Sequence, residues 1–93
     1  MPFVYVLKSL KDLKLYIGST RGSIRDRIKR HNNGGVVSTR GRMPFIVLYQ
    51  EEFISYKEAR KRELYFKSGS GRESLRRILD NRAGTQVAKG DRL

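Results

Sequence analysis

No cysteine and no tryptophan occur among the 93 residues, and histidine occurs once. Without thiols there are no disulfides and no thiolate zinc sites, so a reducing compartment is the natural expectation. One histidine leaves too few nitrogen ligands for a zinc site. No Ser-His-Asp or Cys-His set stands out as a nucleophile system. No apolar run approaches the roughly 20 residues needed to cross a bilayer. The N-terminus offers neither a charged n-region nor a small-residue cleavage site, which predicts a cytoplasmic protein. The length suits a single domain with one modest core.

Acidic residues are also scarce. Nine carboxylates face 21 Lys and Arg, for a net charge of +12. Such a field attracts polyanions, and phosphate contacts release counterions from a nucleic acid. No helix is both strongly basic and studded with large apolar side chains, which disfavours an anionic membrane surface. Nucleic acid is the expected partner.

Residues 3–7 are β-branched and aromatic and read as a strand, as do residues 15–19; the short polar segment between them predicts an antiparallel hairpin. Residues 22–33 carry a helical pattern with Ile24 and Ile28 one turn apart, ended by Asn32, Asn33, Gly34 and Gly35. A flexible basic loop with Ser38, Thr39, Arg40, Gly41 and Arg42 is expected next, then a third strand over 45–50. Ser55 with Glu58 forms a capping box, predicting a helix over about 56–67. Ser70 with Glu73 forms another, opening a helix to about Asp80. The fold expected is α+β, a small three-stranded, mostly antiparallel sheet flanked by helices in the order β-β-α-β-α-α. The domain should occupy 1–81, and the polar residues 82–93 should form a flexible basic tail.

Some side chains could do chemistry. Arg27 and His31 share a stripe at the edge of the Ile24/Ile28 face, which fits either a solvated basic face or a site beside the sheet. Counting from Tyr56, Ala59, Glu63 and Phe66 fall at roughly 300°, 340° and 280° around their helix, so Glu63 points inward with the apolar residues. An inward carboxylate needs a partner: an arginine in a structural salt bridge, or a magnesium or manganese ion. Tyr5 and Tyr16 lie on adjacent strands, as core aromatics or as the walls of a polar pocket. Gly18 marks close approach by a backbone or ligand. Gly69-Ser70-Gly71 could hold a phosphate, but it lacks the Lys-Ser/Thr of a P-loop and follows no strand.

These pieces, taken in order, resemble the GIY-YIG nucleases, in particular their small single-domain bacterial members, and more distantly the nuclease domain of the excision-repair endonuclease. The likeness spans residues 3–80. Phe3-Val4-Tyr5 stands where the family has Gly-Ile-Tyr, and Tyr16-Ile17-Gly18 is unaltered. Arg27-Ile28-Lys29-Arg30-His31 looks like the family's Arg-x-x-x-His helix, and Glu58-Ala59-Arg60-Lys61-Arg62-Glu63 like its Glu-Ala-x-x-x-Glu helix. Lys67 onward is similar to the Lys-rich and Gly/Ser-rich turn of the small members. The family often has a late Asn; Asn81 is the only one here and is given no role.

The resemblance implies an endonuclease that hydrolyses phosphodiester bonds in DNA with one metal. Glu63 would ligate Mg²⁺ or Mn²⁺, with waters and a phosphate oxygen completing the shell. Tyr16, with Tyr5 nearby, would orient or deprotonate the attacking water, its pKa lowered by arginine and metal charge. Arg27 would stabilise charge growing on the phosphate, and His31 would relay a proton or hold a phosphate. Arg40, Arg42, Lys67 and Arg72 would contact the nucleic-acid backbone. Two alternatives stay open: a non-catalytic nucleic-acid-binding module of the same fold, and a basic adaptor for an acidic protein. Branched or damaged DNA and RNA all remain open as substrates.

Overall fold

A computed structural model describes residues 1–88. The chain divides into two compact units, Met1–Glu63 and the residues from Leu64 onward. Three strands, β1 (Phe3–Ser9), β2 (Leu15–Thr20) and β3 (Phe45–Glu52), form one antiparallel sheet in the order β2-β1-β3. Helix α1 (Ile24–Asn32) follows β2, a 3-10 turn (Val37–Arg42) precedes β3, and α2 (Tyr56–Lys67) follows it. The α+β order and the antiparallel sheet are those the residue pattern predicts.

β1 is central because its residues are apolar on both sides. Val4, Tyr5, Val6 and Leu7 are all buried. Alternation sends Tyr5 and Leu7 to one face, where they pack with Phe45 against Tyr16, Ile24 and Ile28. Residues directly opposite on paired strands share a face. Val4 lies opposite Ser19 and Glu51, so those three share the other face. Helix α2 is tied to that second face: Ser19 Oγ donates to Glu63, and Arg62 makes a two-pronged bond to Glu51 at 2.9 and 3.2 Å.

Local chemistry sets the ends of the helices. Ser23 caps α1, its hydroxyl accepting from Asp26 N, and Ser55 Oγ does the same for Glu58 N before α2. The side chain of Asn32 holds both backbone groups of Phe45, accepting at 2.6 Å and donating at 3.1 Å. It thereby fastens the end of α1 to the start of β3 and occupies hydrogen-bonding groups of an edge strand.

The second unit holds the last turn of α2 and helix α3 (Gly69–Ala88). Two expectations change here. The cap of α3 is Ser68 and not Ser70: Ser68 Oγ accepts from Gly71 N at 3.2 Å, and Ser68 O from Arg72 N at 2.9 Å. A Cβ at Gly71 would collide with the Tyr65 carbonyl, so that glycine serves the tight α2–α3 junction and not a phosphate cradle. Helix α3 also continues to Ala88, past the end expected near Asp80. Of the tail expected over 82–93, residues 89–93 lie outside the described residues.

Candidate active site

Tyr5, Tyr16, Arg27 and His31 come together on the α1 face of the sheet. Tyr5 is buried at the centre. Arg27 Nε donates to its hydroxyl oxygen at 3.1 Å, and its hydroxyl lies 3.0 Å from His31 Nε2. His31 is fully buried, with Nδ1 2.8 Å from Thr39 Oγ1. The Tyr16 ring packs on the imidazole at 5.0 Å between centroids, and the Phe45 ring meets it edge-on at 5.8 Å. So the Arg27/His31 stripe is not a solvated basic face; its two ends meet on one phenol.

Gly18 is what lets the phenol lie there. It pairs with Tyr5 across the hairpin, and a Cβ on it would come 2.5 Å from the Tyr5 oxygen and 3.1 Å from the Tyr16 ring. The glycine therefore admits both tyrosine rings over β2, which gives the close approach read from the sequence a named occupant.

Glu63 is 4% exposed, as its helical position predicts. Its carboxylate accepts from Ser19 Oγ at 2.5 Å and pairs with Arg60 at 2.8 Å. The salt-bridge reading is thus realised, although the Arg60 side chain is 49% exposed and can be solvated without its partner. Ser19 follows Gly18 on β2, so Glu63 and the tyrosine cluster approach that edge strand from opposite faces. The Glu63 charge still reaches Tyr5, raising its pKa slightly. Beside Glu63, Tyr56 accepts from Ser19 Oγ at 3.4 Å and carries the Arg21 guanidinium 4.2 Å above its ring.

Two pKa directions matter. Burial pushes the Tyr5 phenol above its usual value, outweighing the Arg27 hydrogen bond and charge that pull it down. An arginine-lowered tyrosine was the expectation, and for Tyr5 desolvation wins. Burial, with the Arg27 and Arg30 charges behind it, lowers His31 to about 4. The imidazole is therefore neutral at pH 7 and able to accept a proton, and its burial leaves it no phosphate to touch directly.

The basic residues expected to hold a backbone are distributed differently. Arg40 is exposed, with Nε on Gly34 O at 3.0 Å. Arg42 is half-buried and committed to Asp12 at 2.9 Å. Lys67 and Arg72 are exposed on the second unit. The loop expected around Thr39 is an ordered 3-10 turn with Thr39 fully buried. Thr39 is the site residue that the sequence reading missed: a hydroxyl in a basic, glycine-bearing run carries no periodic signal, and its burial comes from hydrogen bonding and not from an apolar stripe.

Among the described residues, no three His, Asp or Glu side chains converge as a metal cage. Mg²⁺ is commonly held by one or two carboxylates, several waters and substrate phosphate. A single buried carboxylate such as Glu63 fits an ion that arrives with a phosphate.

Comparison with known proteins agrees with this geometry. The model of the GIY-YIG catalytic domain matches residues 1–76. The chain belongs to the GIY-YIG family. It is 44% identical over 79 residues to a UPF0213 protein of Clostridium perfringens, covering 84% of this chain and 83% of that one. A UPF0213 protein of Staphylococcus haemolyticus is 40% identical over 77 residues, covering 82% and 92%. The solution NMR structure of a UPF0213 protein from Bacillus halodurans is 36% identical, with a TM-score of 0.49 over 84% of this chain and 85% of that one. The GIY-YIG match takes in the whole tyrosine, arginine, histidine and glutamate set.

Proposed function

We propose that this GIY-YIG protein is a metal-dependent endonuclease that hydrolyses phosphodiester bonds in DNA. The observation that carries the reading is the Tyr5 hydroxyl, held between an obligate donor, Arg27, and an acceptor, the neutral His31. A core tyrosine needs one hydrogen-bond partner; this one has a cation on one side and a proton acceptor on the other.

Tyr5 takes a proton from the attacking water while passing its own to His31 Nε2. This relay suits a phenol whose burial keeps it protonated at rest. Tyr16, beside both rings, orients the water. Arg27, half-buried and close enough to bind the phenol, offers its remaining N–H groups to charge growing on the phosphate. Glu63 holds Mg²⁺ or Mn²⁺ at the β2 edge, with Arg60 swinging out to solvent. A divalent ion bound there polarises the phosphate and supports the leaving oxygen. Arg40, Arg42, Lys67 and Arg72 supply contacts to the backbone, with Arg42 the weakest contributor because Asp12 already holds it.

The test is a panel of labelled duplex, branched and single-stranded DNAs with Mg²⁺, Mn²⁺ or EDTA. Cleavage that requires the ion supports the reading. Binding without cleavage under every condition supports the non-catalytic module instead.

A further inference from the structure

We propose that Thr39 is a positioning residue that locks the chain's single histidine in its Nδ1–H tautomer, keeping Nε2 open to the Tyr5 proton. The inference rests on the nuclease reading above for its consequence, and on hydrogen-bond direction for its substance.

Direction is set at both ends of the chain of contacts. Arg27 Nε can only donate, so the Tyr5 oxygen accepts there and its own O–H must point elsewhere. His31 Nε2, at 3.0 Å, is the acceptor in reach. At the other end, Thr39 Oγ1 donates to Val36 O at 3.3 Å, so its oxygen is left to accept from His31 Nδ1–H at 2.8 Å. The bonds run one way: Arg27 to Tyr5 to His31 to Thr39 to Val36. A neutral imidazole has one N–H and one lone pair, and the partner of one nitrogen decides the state of the other.

The reverse tautomer breaks this order. Its Nε2–H would point at an oxygen that already accepts from Arg27, the Tyr5 proton would lose its acceptor, and Nδ1 would need a donor that Thr39 already spends on Val36. In the order observed, the Tyr5 proton moves to Nε2 as the phenol oxygen takes one from water. The ring becomes an imidazolium whose Nδ1–H still rests on Thr39, and the proton returns to solvent through Tyr5 afterwards.

Thr39 can act as a fixed post because its turn is fastened. Ser9 Oγ donates to Arg42 O at 2.6 Å, Lys11 Nζ to Gly41 O at 3.1 Å, and Leu10 N to Pro44 O at 2.8 Å. The β1–β2 hairpin thus holds the far end of the turn whose middle orients the histidine.

One histidine in the chain makes the test direct. The full chain is labelled with ¹⁵N-histidine, and the imidazole nitrogens are read by NMR at pH 7 in the wild type, Thr39→Val and Thr39→Ser. Single-turnover cleavage at saturating DNA and DNA affinity are measured on the same proteins. The wild type should show a protonated Nδ1 and a lone pair on Nε2. Thr39→Val should shift the ring towards the other tautomer and slow cleavage about 10- to 100-fold at unchanged affinity, the usual scale for losing an orienting partner. Thr39→Ser should restore both. If Thr39→Val does not fold, Thr39→Ala takes its place.

A wild-type ring protonated at Nε2, a valine variant that keeps Nδ1–H, or a tautomer change with no change in rate would overturn the proposal. A wild type that shows the lock, loses it in Thr39→Val and cuts no DNA supports the lock and contradicts the nuclease reading.

Discussion

At the scale of single residues, the site is a contest between burial and charge. His31 gains no carboxylate partner; burial and two arginines depress it to about 4. Between that value and its ordinary 6.5, the unfolded chain binds a proton that the folded chain refuses. Stability should therefore rise with pH across this window and flatten above it. The full shift corresponds to about 3 kcal/mol, at 1.36 kcal/mol per pKa unit. Thermal melting from pH 4 to 7, compared with His31→Gln, checks this: the wild type should lose stability towards pH 4 and the variant should lose less. Parallel curves would mean that His31 is not the group responsible.

Residues also differ in how legible they were. Tyr16-Ile17-Gly18 could be read because a glycine in an aromatic strand has few explanations, and its role in admitting Tyr5 needed only the strand pairing. Thr39 could not be read. Its importance lies in a hydroxyl aimed at a ring eight positions away, through a turn with no hydrophobic period. Ser19 and Arg60, the partners of Glu63, were equally hidden, because helical angle gives direction and not what stands there.

At the scale of elements, α2 presents adjacent residues for different tasks. Arg62 anchors it to Glu51 on β3, and the neighbouring Glu63 is thereby held against Ser19 on β2. The Glu63 partner is an arginine that is half exposed, so the pair is not a deep structural bridge. Replacing Glu63 by Gln keeps an acceptor for Ser19 and leaves Arg60 free to hydrate. The melting point should stay within the equivalent of about 1 kcal/mol, the scale of an exposed pair. Cleavage in Mg²⁺ should vanish in the same protein. A variant that melts far below wild type and still cuts would show Glu63 to be structural and remove the metal from the account.

Elements were read well where a period or a cap marked them. Both tyrosine strands, the capped start of α2 and the inward stripe of that helix followed from alternation, Ser55 and the 3.6-residue repeat. The start of α3 was misplaced by two residues because Ser68 and Ser70 are both plausible caps, and only the fit of Gly71 under Tyr65 selects between them.

At the scale of the whole molecule, charge decides what comes to the site and the site decides what happens to it. A net charge of +12 predicts counterion release on binding. If six to eight phosphates are neutralised, log K should fall against log salt with a slope of roughly −5 to −7 on duplex DNA. Titrations from 50 to 300 mM salt check this, and a slope shallower than about −2 would put binding outside the basic surface. Charge alone is equally compatible with the adaptor for an acidic protein. That alternative gives no reason for Arg27 to be held on the phenol of Tyr5, so Arg27 carries the distinction.

The most direct measurement compares Arg27→Ala with wild type in single-turnover cleavage and in affinity for the same DNA. A donor aimed at charge that exists only in the transition state typically accounts for about 10²–10³ in rate, whereas one phosphate contact among many shifts affinity a few-fold. The predicted result is a rate loss of that size with affinity nearly unchanged. Equal losses in rate and affinity would make Arg27 an ordinary binding residue and contradict the claim that this cluster performs the hydrolysis.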